Sequence, residues 1–283
     1  MFSIFTNFAS ESGIHVSLKA EPITQVGPLT ITNSMVYGLV CSTILIVSLI
    51  LIARKVTFHP KKNALYGAFE WLVEFIINLL EGPLGSRVKA AKYTPIFGTF
   101  FIFIIFNNLM GLLPIVGPQI EVNGSPLFRP FTADLNGTIA LAVIAIVIVQ
   151  ILSIKEQGGK GHLKHYFSDK PWNPINFFIG ILEVFGEFTR IISLCLRLFL
   201  NTAVGEILVA VFTSMILANG RTPLVVIPIF VFEMLVAAIQ AYVFTILTAT
   251  YLGLAIAHAD HGEPHDVHHV AEPLIKKVEG TTA

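Results

Sequence analysis

Charge is scarce in this 283-residue chain. Asp, Glu, Lys and Arg make up 13% of it, against roughly 25% in soluble domains. With 54% hydrophobic residues, that deficit excludes a soluble globular domain and indicates an integral membrane protein. Neither sign of charge is in excess, since 18 basic residues balance 18 acidic ones, so nothing points to nucleic acid. Cysteine is almost absent. Cys41 and Cys195 both lie in apolar runs and form no CxxC pair, so they read as buried small residues, not as a disulfide or metal ligands. Residues 1–26 lack the charged start and apolar stretch of a signal peptide, and no leader is expected. There is no pair of similar halves with interrupted helices of the transporter type. Gly158-Gly-Lys-Gly161 lacks phosphate-loop spacing and reads as a flexible connector. No cofactor, metal or nucleotide site is expected on this chain.

Long apolar runs are what the chain does have. Spans are expected at 34–53, 94–113 and 134–154, each about the 20 residues that cross a bilayer core. Residues 63–80 place Glu70 and Glu74 among Trp71, Leu72, Phe75 and Ile76, with Glu81 following. They read as an amphipathic helix lying at the interface and ended by Gly82-Pro83. A Pro/Gly-rich loop is expected at 114–133. Two further segments, 174–219 and 223–258, are too long for simple spans: as helices they would reach about 69 Å and 54 Å, against a core of about 30 Å. Either they break, or they form a steeply tilted hairpin turning at Asn219-Gly220, which implies a large partner covering it. The expected fold is therefore an all-α integral membrane protein. It has about five transmembrane helices and one interfacial helix, in a membrane domain over 34–258 with an N-terminal segment at 1–33 and a tail at 259–283.

Orientation follows from basic residues. Arg54, Lys55, Lys61, Lys62, Arg87, Lys89 and Lys92 cluster around the amphipathic segment, and Lys155, Lys160, Lys164 and Lys170 lie in the next polar loop. The loops 114–133 and 219–222 carry only Arg129 and Arg221. An N-terminus outside and a C-terminus in the cytoplasm are expected.

Ionisable residues inside spans are functional candidates by default. Arg197 is foremost, in the run Ile191-Ile-Ser-Leu-Cys-Leu-Arg197-Leu-Phe-Leu-Asn201. A guanidinium keeps its charge at ordinary pH, and its place near a bilayer centre costs roughly 2.5–3.5 kcal/mol on insertion scales. It has to meet a carboxylate or water inside an assembly. Glu183, Arg190 and Arg197 recur every seven residues and form one stripe, with Asn201 a turn beyond. Glu187 and Arg190 are spaced to pair. Glu206, nine residues past Arg197, faces about 180° away. Glu233, Gln240 and Tyr251 share a face of the last segment. Two polar regions are expected: Glu206 and Glu233 with Asp134 and Asn136 toward the outer end, and Glu183, Glu187 and Arg190 toward the inner end. A fixed positive charge between two such regions is a proton-transfer arrangement. For Asn107, Asn108 and Asn136, simple helix-to-helix hydrogen bonding is an equally weighted reading.

These residues resemble subunit a of the F-type ATP synthase. The resemblance rests on five features in order: Phe106-Asn107-Asn-Leu-Met-Gly111-Leu-Leu-Pro114; Pro130-Phe-Thr-Ala-Asp134-Leu-Asn136; Glu183; Ser193-Leu-Cys-Leu-Arg197-Leu-Phe-Leu-Asn201 with Gly205-Glu206; and Gln240-Ala-Tyr-Val-Phe-Thr-Ile-Leu-Thr248. It covers most of 30–257. It implies a stator proton-channel subunit of a rotary synthase, itself non-catalytic, with two half-channels. Arg197 would face the c-ring carboxylate. Asp134, Asn136, Glu206, Glu233 and Gln240 would line the outer half-channel or support the arginine, with Asn201 beside it and Glu183 at the inner exit. Implied partners are c-ring subunits, peripheral-stalk b subunits, the remaining synthase subunits and the lipid bilayer. The implied location is a bacterial plasma (inner) membrane, with an organellar energy-transducing membrane as the alternative. Leu200 departs from the family's usual glycine, and Glu233 stands where some members carry histidine, so a histidine relay does not transfer. The rival readings are a secondary transporter with Arg197 as an anionic-substrate site, and a structural scaffold. The tail histidines, His258, His261, His265, His268 and His269, read as a solvated tail more readily than as a metal site.

Overall fold

The structure is a computed structural model, and it describes residues 22–26, 29–55, 64–113, 121–122, 125–126, 129–157, 174–218 and 226–260. The segment before residue 22, the Gly158-Gly-Lys-Gly161 connector, the Asn219-Gly220 turn and the tail from His261 onward lie outside the described residues.

Two strands, β1 (Pro22–Val26) and β2 (Leu29–Thr32), pair antiparallel and lead into helix α1 (Asn33–Lys55). Then come α2 (Ala64–Leu84) and α3 (Arg87–Gly111), a short β3–β4 hairpin (Glu121–Val122, Ser125–Pro126), a 3-10 turn η1 (Phe131–Ala133), α4 (Leu135–Gln157), α5 (Pro174–Ala218) and α6 (Val226–Asp260). The expected all-α membrane architecture holds. Among the described residues five helices, all but α2, are long and apolar enough to cross a membrane. The small hairpins lie outside them; β3 and β4 flank Asn123-Gly124 in the stretch read as an irregular loop.

Two boundaries differ from expectation. Gly82-Pro83 does not end the amphipathic helix, which runs on to Leu84. A proline ring normally clashes with the Cβ of the residue before it, and Gly82 has none. The helix stops instead at Gly85, whose φ of 67° is glycine's left-handed region. The second span starts at Arg87 and not at 94, behind an extended Ser86. Its first turns carry the basic residues Arg87, Lys89 and Lys92, and long basic side chains of this kind can keep their charged heads in water at a membrane helix end. There Lys92 and Tyr93 both donate to the Glu156 carboxylate at the far end of α4. Pro95 sits within α3, and the Thr99 hydroxyl donates to its carbonyl at 2.7 Å.

Length left open whether the last two segments break. Both are continuous, at 45 and 35 residues. Helix α6 is central and packs on α2, α3, α4 and α5. The core joins Ile76 and Leu80 of α2, Phe97 and Ile104 of α3, Leu194 and Leu198 of α5, and Phe244 and Leu252 of α6. Cys41 and Cys195 are free thiols, both buried, as expected.

Helices α2 and α6 meet through backbone. A Cβ on Gly253 would strike the Pro83 carbonyl, whereas one on Gly67 would meet nothing. Gly253→Ala is therefore expected to cost about 1–3 kcal/mol by overpacking and to lower the thermal midpoint of the purified protein in detergent. Gly67→Ala should match or exceed the parent; equal midpoints for both variants would refute the contact.

Candidate functional site

The site begins at a corner ahead of α4. Pro130-Phe131 is held among three glycines on three helices. A Cβ on Gly38 of α1 would lie 2.7 Å from Phe131 Cδ2, one on Gly137 of α4 2.8 Å from the Phe131 carbonyl oxygen, and one on Gly111 of α3 3.0 Å from Pro130 Cγ. Only residues without a side chain allow that approach. The corner fixes the groups beside it. The Thr132 hydroxyl donates to Asn108 Oδ1 at 2.8 Å. Asp134 caps α4: its Oδ1 accepts the Asn136 N–H at 3.1 Å, and its Oδ2 accepts the Ser34 hydroxyl at 2.7 Å. On the other side of the corner Arg129 is buried, 3% exposed, and its Nε stands 3.7 Å from Glu206 Oε2 on α5.

Helix α5 lies antiparallel to this segment. Thr138 Oγ1 is 3.4 Å from Cys195 Sγ, and Arg129 meets Glu206 eleven residues further along α5. Asp134 falls between the two contacts in chain order. Next to Glu206, Gly205 leaves room for the Glu233 carboxylate of α6, which would collide with any Cβ there. Glu233 is 6% exposed and has no hydrogen-bond or ion-pair partner among the described residues. A turn from Arg197, Asn201 Nδ2 donates to Gln240 Oε1 and ties α5 to α6. Gln240 is fully enclosed, and its Nε2 has no partner among the described residues.

A second polar region lies on the N-terminal side of Arg197. Arg190 donates to Glu187, and its guanidinium carbon sits 4.9 Å from the Tyr251 ring centroid on α6, a cation–π distance. Glu183 is on the same helix one turn before Glu187; its side chain lies outside the described set. Arg197 stands between the regions, half-buried. Among the described residues it has neither hydrogen bond nor ion pair. It borders an exposed strip of α5 made of Ser193, Leu196, Leu200 and Val204, with Leu200 42% exposed.

The groups expected together are thus partly together. Glu206 and Glu233 adjoin Gly205, and Glu187 pairs with Arg190. Asp134 is engaged on both oxygens. The Asn136 side chain is exposed, and its bond to Asp134 comes from its backbone. Asn107 and Asn108 serve packing: Asn107 Nδ2 donates to its own helix at Phe103, the Asn107 backbone carbonyl accepts from the Tyr37 hydroxyl, and Asn108 Oδ1 accepts from Thr132. Among the described residues no cluster of His, Cys, Asp and Glu forms that would hold a metal ion. Arg129 was missed as a site residue, having been read only as an outer-loop charge. The available signal was its place directly before Pro130-Phe131 in a chain with few charges.

A family model described as ATP synthase A chain matches residues 35–253. The chain belongs to that family. A relative from Moorella thermoacetica, described as ATP synthase subunit a, is 33% identical over 240 residues, covering 85% of this chain and 96% of the relative. One from Gloeobacter violaceus, also described as ATP synthase subunit a, is 32% identical over 262 residues, with 92% and 94% covered. ATP synthase subunit a 2 of Chlorobaculum tepidum is 34% identical over 222 residues, 76% of this chain but 59% of that longer protein. Both polar regions and Arg197 fall inside the span matched by the ATP synthase A chain family.

The Asn201–Gln240 bond gives a test of the α5–α6 junction. Asn201→Ala leaves a buried amide oxygen unpaired, a loss of about 1–3 kcal/mol. Asn201→Ala with Gln240→Leu removes both polar partners and should recover much of the thermal midpoint. A double variant no more stable than the single one would show that the bond does not join the helices.

Proposed function

We propose that this chain is the stator proton-channel subunit of a rotary F-type ATP synthase. The observation that carries the reading is Arg197, a permanent charge without a partner among the described residues, at the edge of an exposed apolar strip. Its counter-charge then comes from another subunit. A carboxylate on a c-ring helix meets the need, with Leu200 and Asn201 beside the contact.

Asp134, Asn136, Glu206, Glu233 and Gln240 belong to the half-channel open to the outside, and Glu183 to the one open to the cytoplasm. A proton enters past Asp134, Glu206 and Glu233 and neutralises a ring carboxylate. The neutral site turns into lipid at little cost, whereas an ionised one would be expensive there. After a near-full turn it meets the inner path and loses its proton. Arg197 favours that release, because a nearby cation stabilises the carboxylate form. It also repels a hydronium, blocking direct leakage between the half-channels. The drive is the membrane potential, about 2.3 kcal/mol per charge for each 100 mV.

The chain works with c-ring subunits, peripheral-stalk b subunits and the remaining synthase subunits in a bacterial plasma membrane. Its N-terminus is outside and its C-terminus cytoplasmic, by the placement of Lys and Arg. Helices of 45 and 35 residues would stand about 68 Å and 52 Å tall if upright. They lie instead as a steeply tilted hairpin along the ring.

Arg197→Ala is expected to abolish ATP-driven proton pumping by the reconstituted synthase while the complex still assembles. Arg197→Lys should fail or nearly fail, since a desolvated ammonium can lose its proton. Normal pumping by either variant would overturn the role. A further experiment addresses the two half-channels: single cysteines at 134, 206, 233 and 183, with Cys41 and Cys195 replaced, probed with membrane-impermeant thiol reagents. The first three should label from outside and the last from the cytoplasmic side; labelling of all four from one side would refute two half-channels.

A further inference from the structure

Arg129 is a buried charge that the proton path above does not use. It is held immediately before the glycine-clamped Pro130-Phe131 corner, with 3% of its side chain exposed. Its Nε and Nη1 are buried and make no hydrogen bond among the described residues. Nε is 3.7 Å from Glu206 Oε2, within reach of charge attraction but beyond a hydrogen bond. A structural brace between arginine and carboxylate is normally a paired, short, bidentate contact, and this one is not. Burying an arginine with unused donors is costly, and an apolar pair would pack there at least as well. Glu206 keeps a quarter of its side chain exposed, at 26%. Its backbone neighbour Gly205 is where the Glu233 carboxylate rests.

We propose that Arg129 is a positioning residue for Glu206, a fixed counter-charge that holds its carboxylate until a proton arrives. The inference rests on the proton-path reading above. A proton binding Glu206 turns the carboxylate into a neutral carboxyl and cancels the attraction. The released side chain turns toward Glu233 and passes its proton to the Glu233 carboxylate. Glu206, charged again, returns to Arg129. The arginine itself neither gains nor loses a proton, in keeping with its high basicity. The rigid corner supplies the fixed point, and the loose contact allows the release.

The test uses the whole synthase carrying this chain, reconstituted in liposomes, with initial rates of ATP-driven acidification normalised to assembled complex. Arg129→Gln is expected to pump about ten-fold more slowly, and Arg129→Lys, which keeps the charge, to recover most of that loss. Arg129→Gln combined with Glu206→Gln should be no slower than the slower single variant, because both remove one interaction. Wild-type rates in Arg129→Gln, Arg129→Lys as slow as Arg129→Gln, or fully multiplicative loss in the double variant would each overturn the proposal. If Arg129→Gln does not assemble, the double variant, which leaves no charge unpaired, carries the test: pumping above the Glu206→Gln level overturns the proposal, and pumping at that level supports it. Wild-type pumping by Glu206→Gln while Arg197→Ala is inactive would defeat the Arg129 role alone. Wild-type pumping by both would defeat the proton-path reading itself.

Discussion

A charge in an apolar helix has to be answered, and most of this structure can be read as the answers. Lys92 reaches Glu156, Arg190 reaches Glu187 and the Tyr251 ring, and Arg129 lies against Glu206. Each of these joins two helices, two segments or two turns of one helix. Arg197 is different because no described residue of its own chain answers it. Removing a guanidinium from water without a partner costs several kcal/mol, which is why the function proposed above gives Arg197 a partner on another subunit.

Close backbone approach is the means by which the polar groups are set. Gly38, Gly111 and Gly137 let three helices close on Pro130-Phe131. Gly205 admits a carboxylate, and Gly253 admits the Pro83 carbonyl. Membrane helices gain little from hydrophobic segregation among themselves, so small residues that permit contact carry much of the packing. The positions of Asp134 and Arg129 follow from the corner between them. Their chemistry therefore depends on glycines that bear no functional group.

The polar groups differ in how fully they are satisfied. Asp134 has a partner on each oxygen, and Arg190 has both an ion pair and an aromatic face. Among the described residues Arg129 and Gln240 are buried with unmet capacity, as are Asn107 and Thr245, and Glu233 is buried without a partner. Unmet polar capacity in a low-dielectric interior is expensive. The proton path proposed above would use groups that are free to exchange partners, and Glu233 lies against Gly205 with Arg129 against Glu206.

The membrane class, the five spans, the amphipathic helix and the isolation of Arg197 in an apolar run were legible in the sequence. Each rests on a local quantity: hydropathy, period, or the cost of one charge. The Glu187–Arg190 pair was legible for the same reason, because helix geometry alone brings those residues together. The end of α2 was misread, since its persistence turns on the missing Cβ of Gly82 and on the left-handed Gly85 beyond it. Arg129 was invisible as a site residue because its partner lies 77 positions away, across a loop. Glu233 beside Gly205, and Gln240 bonded to Asn201, likewise needed two helices laid side by side at one particular register. Local periodicity determines which face a residue occupies; only the tertiary packing decides what that face meets, because register between distant helices is set by the sum of many close contacts and by no single run of residues.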